Sequence, residues 1–212
     1  MTYQEHVQKT TSFIETNLTK HRFSDAEVKF CKSIHDERVH NKQKADSVHP
    51  TDFVINGRIS RQHTDEDLYF GLLSELMVAR ELGKSISNRN ILRDWAEDQI
   101  RQNKMVLSEG KFDSKDVGNC QIRAAQYSSF KKRNIIYRDN DFRTKATQPL
   151  IGCIINTQES DIWAVMCGFM SYADLIRRRH EFWSNPDGRL PAMFIPIWEL
   201  SPMENFDLTY LL

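Results

Sequence analysis

Leu68, Leu72, Leu73, Leu76, Ala79 and Leu82 recur at the spacing of one helical face. Thr64-Asp65-Glu66-Asp67 ahead of them resembles a capping box, with acids where the helix dipole favours them. Gly83 stands where such a helix stops, so the pattern predicts a helix over 64–83. Residues 3–45 also read as helix: breakers are few, and Phe13, Ile14, Leu18, Val28, Phe30 and Ile34 are sparse apolar marks among charges. The polar stretch 36–63 is expected to contain a loop. Ile91, Leu92, Trp95 and Ile100 form the apolar face of a further helix predicted over 87–105.

After that helix the period shortens. Residues 105–113 read as strand or turn, and 119–127 as a strand following a Gly118-Asn119 turn. Residues 133–138 form another strand candidate, ended by Asp139-Asn140-Asp141. The runs 149–156 and 161–169 are continuously apolar, as in strands buried on both faces. Ser171-Tyr172-Ala173-Asp174 opens a helix reaching Phe182, and residues 191–198 form a last strand. The order predicts an α/β fold, a mixed central sheet flanked by helices.

The 212 residues are 40% hydrophobic and 27% charged, which excludes a disordered or collagen-like chain. No apolar run reaches the ~18 residues of a membrane span, and the N-terminus lacks a secretory apolar stretch, so a cytoplasmic protein with no membrane partner is expected. Cys31, Cys120, Cys153 and Cys167 form no CxxC pair and read as reduced thiols. Net charge is zero, but residues 104–145 hold ten Lys/Arg against five Asp/Glu, a local net of +5.

Three features carry chemistry. Glu75 shares the helical stripe of Leu68, Leu72, Ala79 and Leu82 and so faces the core, where an unpaired carboxylate is costly. It either pairs with an arginine such as Arg123 or belongs to a site. Asp116 precedes Val117-Gly118-Asn119, as a simple turn residue or as a ligand at a strand end. Gln121 and Arg123 share one face of a strand while Ile122 points the other way. Their face is either an exposed polar surface or half of a site. Hard oxygen donors of this kind suit Mg²⁺, and a nearby cation suits a transferring phosphoryl group.

A helical Glu, then Asp, then a polar-x-cationic strand resembles the PD-(D/E)xK nuclease superfamily, the restriction-endonuclease-like fold, in a divergent phage and bacterial branch. The matching residues are Glu75, Asp116, Gln121 and Arg123, and the likeness covers roughly 68–200. The resemblance implies a restriction-endonuclease-like domain over 64–212 with a helical extension over 1–63. It implies an endonuclease that hydrolyses DNA phosphodiesters with Mg²⁺ (or Mn²⁺) held by Glu75, Asp116 and Gln121, with Arg123 offsetting charge at phosphorus. Cleavage of both strands of double-stranded DNA implies a homodimer. Two departures stand out. Gln121 replaces the usual acid and is a weaker ligand. Arg123 replaces the usual Lys and stays protonated, so it is no general base. They admit a second reading, a catalytically inactive nuclease fold acting as a DNA-binding or assembly module.

Lys111, Lys115, Lys131, Lys132 and Arg133 flank these positions, with Arg138, Arg143 and Lys145 beyond, either as DNA contacts or as a solvated surface. Arg177-Arg178-Arg179 serve a phosphate or the helix dipole. Cys31, His35, His40 and His49 match no zinc-ligand spacing. The chain has no P-loop or dinucleotide-binding glycine pattern and no G-x-S-x-G elbow. The four tryptophans read as core aromatics.

Overall fold

The computed structural model describes residues 1–48, 54–55, 58–59, 65–87, 89–109, 116–127, 134–138, 147–157, 162–181 and 192–212. Among these, a mixed sheet is flanked by helices, as the order of periods predicts, and no helix is long and apolar enough to cross a membrane.

The N-terminal segment departs from a single helix. Helix α1 (Tyr3–Asn17) starts at a Thr2–Glu5 capping box and ends at Leu18, whose backbone is extended. Strand β1 (His21–Arg22) follows, and α2 (Asp25–Val48) then starts afresh. A second reciprocal cap at Ser24 forces the restart: Ser24 N donates to Glu27 Oε2 at 2.8 Å, and Glu27 N returns a bond to Ser24 Oγ at 3.3 Å. Helix α2 runs to Val48, through part of the stretch expected to hold a loop. β2 (Val54–Ile55) pairs antiparallel with β3 (Arg58–Ile59).

Helix α3 (Asp65–Gly83) forms as its stripe predicts. Helix α4 spans Ile91–Glu109, so residues 105–109, expected as strand or turn, continue a helix. Trp95, Gln99, Gln102 and Asn103 are all buried, so the packed face of α4 is partly polar toward its C-terminal half.

Strands β4 (Gln121–Gln126), β6 (Leu150–Asn156) and β7 (Trp163–Met170) make the central sheet, with β1 added at the edge in the order β1-β7-β6-β4. β4 runs parallel to β6, and the remaining pairs are antiparallel. β5 (Asn134–Arg138) does not join this sheet. It pairs with β8 (Ala192–Pro196) in a two-stranded sheet of its own. Helix α5 is only Tyr172–Arg177, capped by the Ser171 hydroxyl, and a 3-10 turn takes over at Arg179. β8 ends in another 3-10 turn at Ile197–Glu199 rather than running to 198.

The sheet separates two apolar cores. Leu72, Leu73, Leu76 and Met77 of α3 pack on Ile122, Ile151, Cys153 and Ile155. On the other face Leu150, Ile154 and Val165 meet Ile135, Tyr137, Met193 and Ile195 of the small sheet. Each fully buried aliphatic side chain stabilises the fold by roughly 1.5–3 kcal/mol. Residues 1–48 share both cores: Ile14 lies in the second, and Cys31 and Ile34 lie in the first.

Candidate functional site

The hairpin that carries Asp116 closes as the sequence predicts. Val117 and Cys120 form a bridge, with Cys120 N donating to Val117 O at 3.1 Å, and Gly118 takes a positive φ of 55° in the turn between them. Asp116 Oδ2 accepts the backbone N–H of Ile122 at 2.7 Å and stands 3.8 Å from Arg123 Nη1. Asp116 therefore both caps the start of β4 and meets the guanidinium beside it.

Glu75 points toward α4. Its Oε2 accepts from Trp95 Nε1 at 3.0 Å and Gln99 Nε2 at 3.2 Å. Behind Gln99 stands the guanidinium of Arg38 of α2. Arg38 Nη2 donates to Gln99 Oε1 at 2.6 Å, and Nε donates to Asn103 Oδ1 at 2.9 Å. Asn103 Nδ2 donates in turn to Ile34 O and Glu37 Oε2, and Asn41 Nδ2 donates to Asn103 O. Burial pulls the Arg38 pKa down, while the charges of Glu75, Asp98 and Asp116 oppose the loss of its proton.

Gln121 is fully buried and donates from Nε2 to the Tyr137 hydroxyl at 3.2 Å. The pairing of β4 with β6 explains this direction. Ile122 sits opposite Ile151 and faces α3, whereas Gln121 sits opposite Leu150 and faces the small sheet. Gln121 and Arg123 share a face, as strand alternation requires. That face is the one turned away from Glu75. The structure thus joins Asp116 to Arg123 and Glu75 to Trp95 and Gln99, but it does not bring Gln121 to either carboxylate.

These residues do not fit a magnesium ion as they stand. Mg²⁺ needs near-octahedral oxygens at about 2.0–2.1 Å. Gln121 lies across the sheet, and one oxygen of Glu75 and one of Asp116 already accept from indole, amide and backbone donors. Among the described residues no three His, Cys, Asp or Glu side chains gather as a metal-holding group.

Beside Asp116 a cleft of about 220 Å³ is lined by Trp95, Asp98 and Arg101 of α4 together with Arg89, Asp94, Asn119 and Leu211. Asp98 accepts from Arg101 Nε at 3.0 Å and Gln102 Nε2 at 2.7 Å. Asp94 accepts from Arg89 Nε at 2.6 Å. Sequence reasoning missed Arg38, Asp98 and Arg101. One signal was present for Arg38: Cys31, Ile34, Arg38 and Asn41 lie on one helical stripe, and all four are buried.

Lys111, Lys115, Lys131, Lys132 and Arg133 lie outside the described residues, as do Arg143 and Lys145. Of the arginine triplet, Arg177 pairs with Asp174, and Arg178 pairs with Glu181 and Glu199 at 2.7 Å each. Cys31 is buried, and His35 meets Asp36. The other three cysteines are free and buried too. Comparison with protein-family models, with curated proteins and with solved structures finds no match to this chain.

Proposed function

We propose that this chain is a restriction-endonuclease-like protein whose hydrolytic centre is silent, and that it works as a DNA-binding module. The observation that carries the reading is the placement of Gln121 against Tyr137, on the face of β4 opposite Glu75. A centre that needs both side chains on one ion is not assembled. The replacement of the usual acid at position 121 by a neutral amide, a weaker ligand than a carboxylate, agrees with it. Binding to DNA is supported by the net +5 of residues 104–145, through the release of counterions from phosphates. Two copies on one duplex are part of this reading, by symmetry of the target.

A metal-dependent endonuclease is the second reading. It is favoured by one observation: Asp116 and the Trp95 that holds Glu75 line the same cleft. The donors do not fit the ion in this arrangement, so no hydrolytic step is built on it.

Supercoiled plasmid incubated with the protein and Mg²⁺ or Mn²⁺ separates the two. The silent reading expects intact plasmid and a gel shift of duplex DNA that weakens steeply with salt. Nicking that disappears in Asp116→Ala would establish the enzyme instead.

A further inference from the structure

Each acid at this centre has an arginine of its own. Asp116 faces Arg123 at 3.8 Å, and Asp98 accepts from Arg101 Nε at 3.0 Å. Glu75 meets Arg38 through one intervening amide: Gln99 Oε1 accepts from the guanidinium at 2.6 Å, and Gln99 Nε2 donates to Glu75 Oε2 at 3.2 Å. Arg123 is partly exposed and Arg101 exposed. Arg38 is 6% exposed and Gln99 1%. A cation this deep is costly unless acids and hydrogen-bond acceptors surround it. Here Gln99 and Asn103 supply the acceptors, and Glu75, Asp98 and Asp116 supply the field. The dependence runs both ways: without Arg38, Glu75 keeps its indole and amide donors but loses the guanidinium charge behind Gln99.

A guanidinium suits this role better than a metal does here. It acts through a planar fork of donors and reaches its acid across an amide, whereas Mg²⁺ requires direct oxygen contact. The geometry points to Arg38 as a resident cation that holds Glu75 and the neighbouring acids in place of a divalent ion, leaving a centre that is structurally independent of metal. This inference rests on the silent reading and adds to it the group that fills the metal's electrostatic role.

Titration of the full chain with Mn²⁺, read by electron paramagnetic resonance of the free ion and by thermal unfolding, tests it. The wild type is expected to melt at the same temperature in EDTA and in millimolar Mn²⁺. Arg38→Met removes the charge and keeps most of the volume. It is expected to melt lower in EDTA, to regain part of that loss in Mn²⁺, and to bind Mn²⁺ about ten-fold or more tightly than the wild type. Adding Glu75→Gln to Arg38→Met removes both charges and is expected to raise stability above that of Arg38→Met and abolish the Mn²⁺ response. If Arg38→Met does not fold, the double variant carries the test, and its failure to fold overturns the inference.

Three other results would overturn it: wild-type Mn²⁺ binding that Asp116→Asn abolishes, an Arg38→Met variant that gains no Mn²⁺ affinity, or a double variant no more stable than the single. These leave the silent reading standing so long as plasmid remains intact. Nicking by the wild type in Mn²⁺ defeats that reading itself.

Discussion

Trp95 and Glu75 are joined by one hydrogen bond across two helices, the indole Nε1 of α4 donating to Oε2 of α3 at 3.0 Å. The indole is buried and the carboxylate half-buried, so the bond is charge-assisted and poorly replaced by water. Trp95→Phe keeps most of the packing and removes the donor. It is expected to cost about 1.5–3 kcal/mol. The check is a urea midpoint that falls with an unchanged slope.

Asp116 closes the start of β4 by accepting the Ile122 amide at 2.7 Å. Asp116→Ala leaves that N–H without its acceptor and is expected to destabilise by about 1–3 kcal/mol. Asp116→Asn retains a carbonyl oxygen in the same place and is expected to lose less. Faster hydrogen exchange at the Ile122 amide in the alanine variant alone would confirm the local origin.

Gly168 and Gly152 face each other in the β6–β7 ladder yet differ in tolerance. Gly168 has a φ of 142°, and a Cβ there would stand 2.5 Å from the Ser201 carbonyl oxygen. A Cβ on Gly152 would meet side-chain tips instead, Leu200 Cδ1 at 2.5 Å and Ile135 Cγ1 at 2.8 Å. Side chains can shift more easily than a backbone carbonyl, so Gly168→Ala is expected to lower the melting temperature further than Gly152→Ala, which should lose about 1–3 kcal/mol from overpacking. Equal losses would contradict the assignment of strain to the backbone.

Stability is expected to fall with acid in two stages. Burial lowers the pKa of His21 below its ordinary 6.5, against the pull of Glu81. Its unfolded form therefore binds the proton first, and its contribution fades as pH falls below that value. Burial alone would raise Glu27 and Glu81, but Ser24 and Arg80 for the first, and Lys84 and Arg80 for the second, hold both below their ordinary 4.5. Depressed carboxyls stabilise above 4.5 and lose that contribution as pH drops through their folded values. Arg80→Gln is expected to flatten the lower stage, and His21→Gln the upper one, in unfolding free energy measured against pH.

Burial pushes the Cys31 and Cys120 thiols up to about 12, with Glu75 and Asp116 respectively adding to the shift, and Cys153 and Cys167 rise as well. A thiol-specific reagent at neutral pH is expected to label the native chain at the rate of its opening, and all four thiols promptly in denaturant. Rapid labelling of one thiol in the native protein would locate an open region.

Much of the fold was legible because period and punctuation agreed. The α3 stripe, the Gly118 turn and the apolar runs of β6 and β7 stand where the pattern puts them. The break after Asn17 was not legible from apolar spacing. Its signal is polar, the Ser24–Glu27 reciprocal cap, and such a cap competes with an otherwise permissive helical sequence. For the site, alternation correctly placed Gln121 and Arg123 together but could not say which side of the sheet α3 covers. That choice is made by long-range packing, through Ile122 on Ile151. Arg38, which stands behind Glu75 across Gln99, was not legible for a related reason. Arg38 comes from a helix that folds back onto α4, and one buried arginine in a charged helix looks like its exposed neighbours.

Strand β1 also sets the order in which the molecule can be finished. His21 pairs with Ala164 and Arg22 with Trp163, so the sheet's outer edge is completed by two segments far apart in the chain. Chain closure over so long a loop makes late docking of this edge the natural slow step in folding.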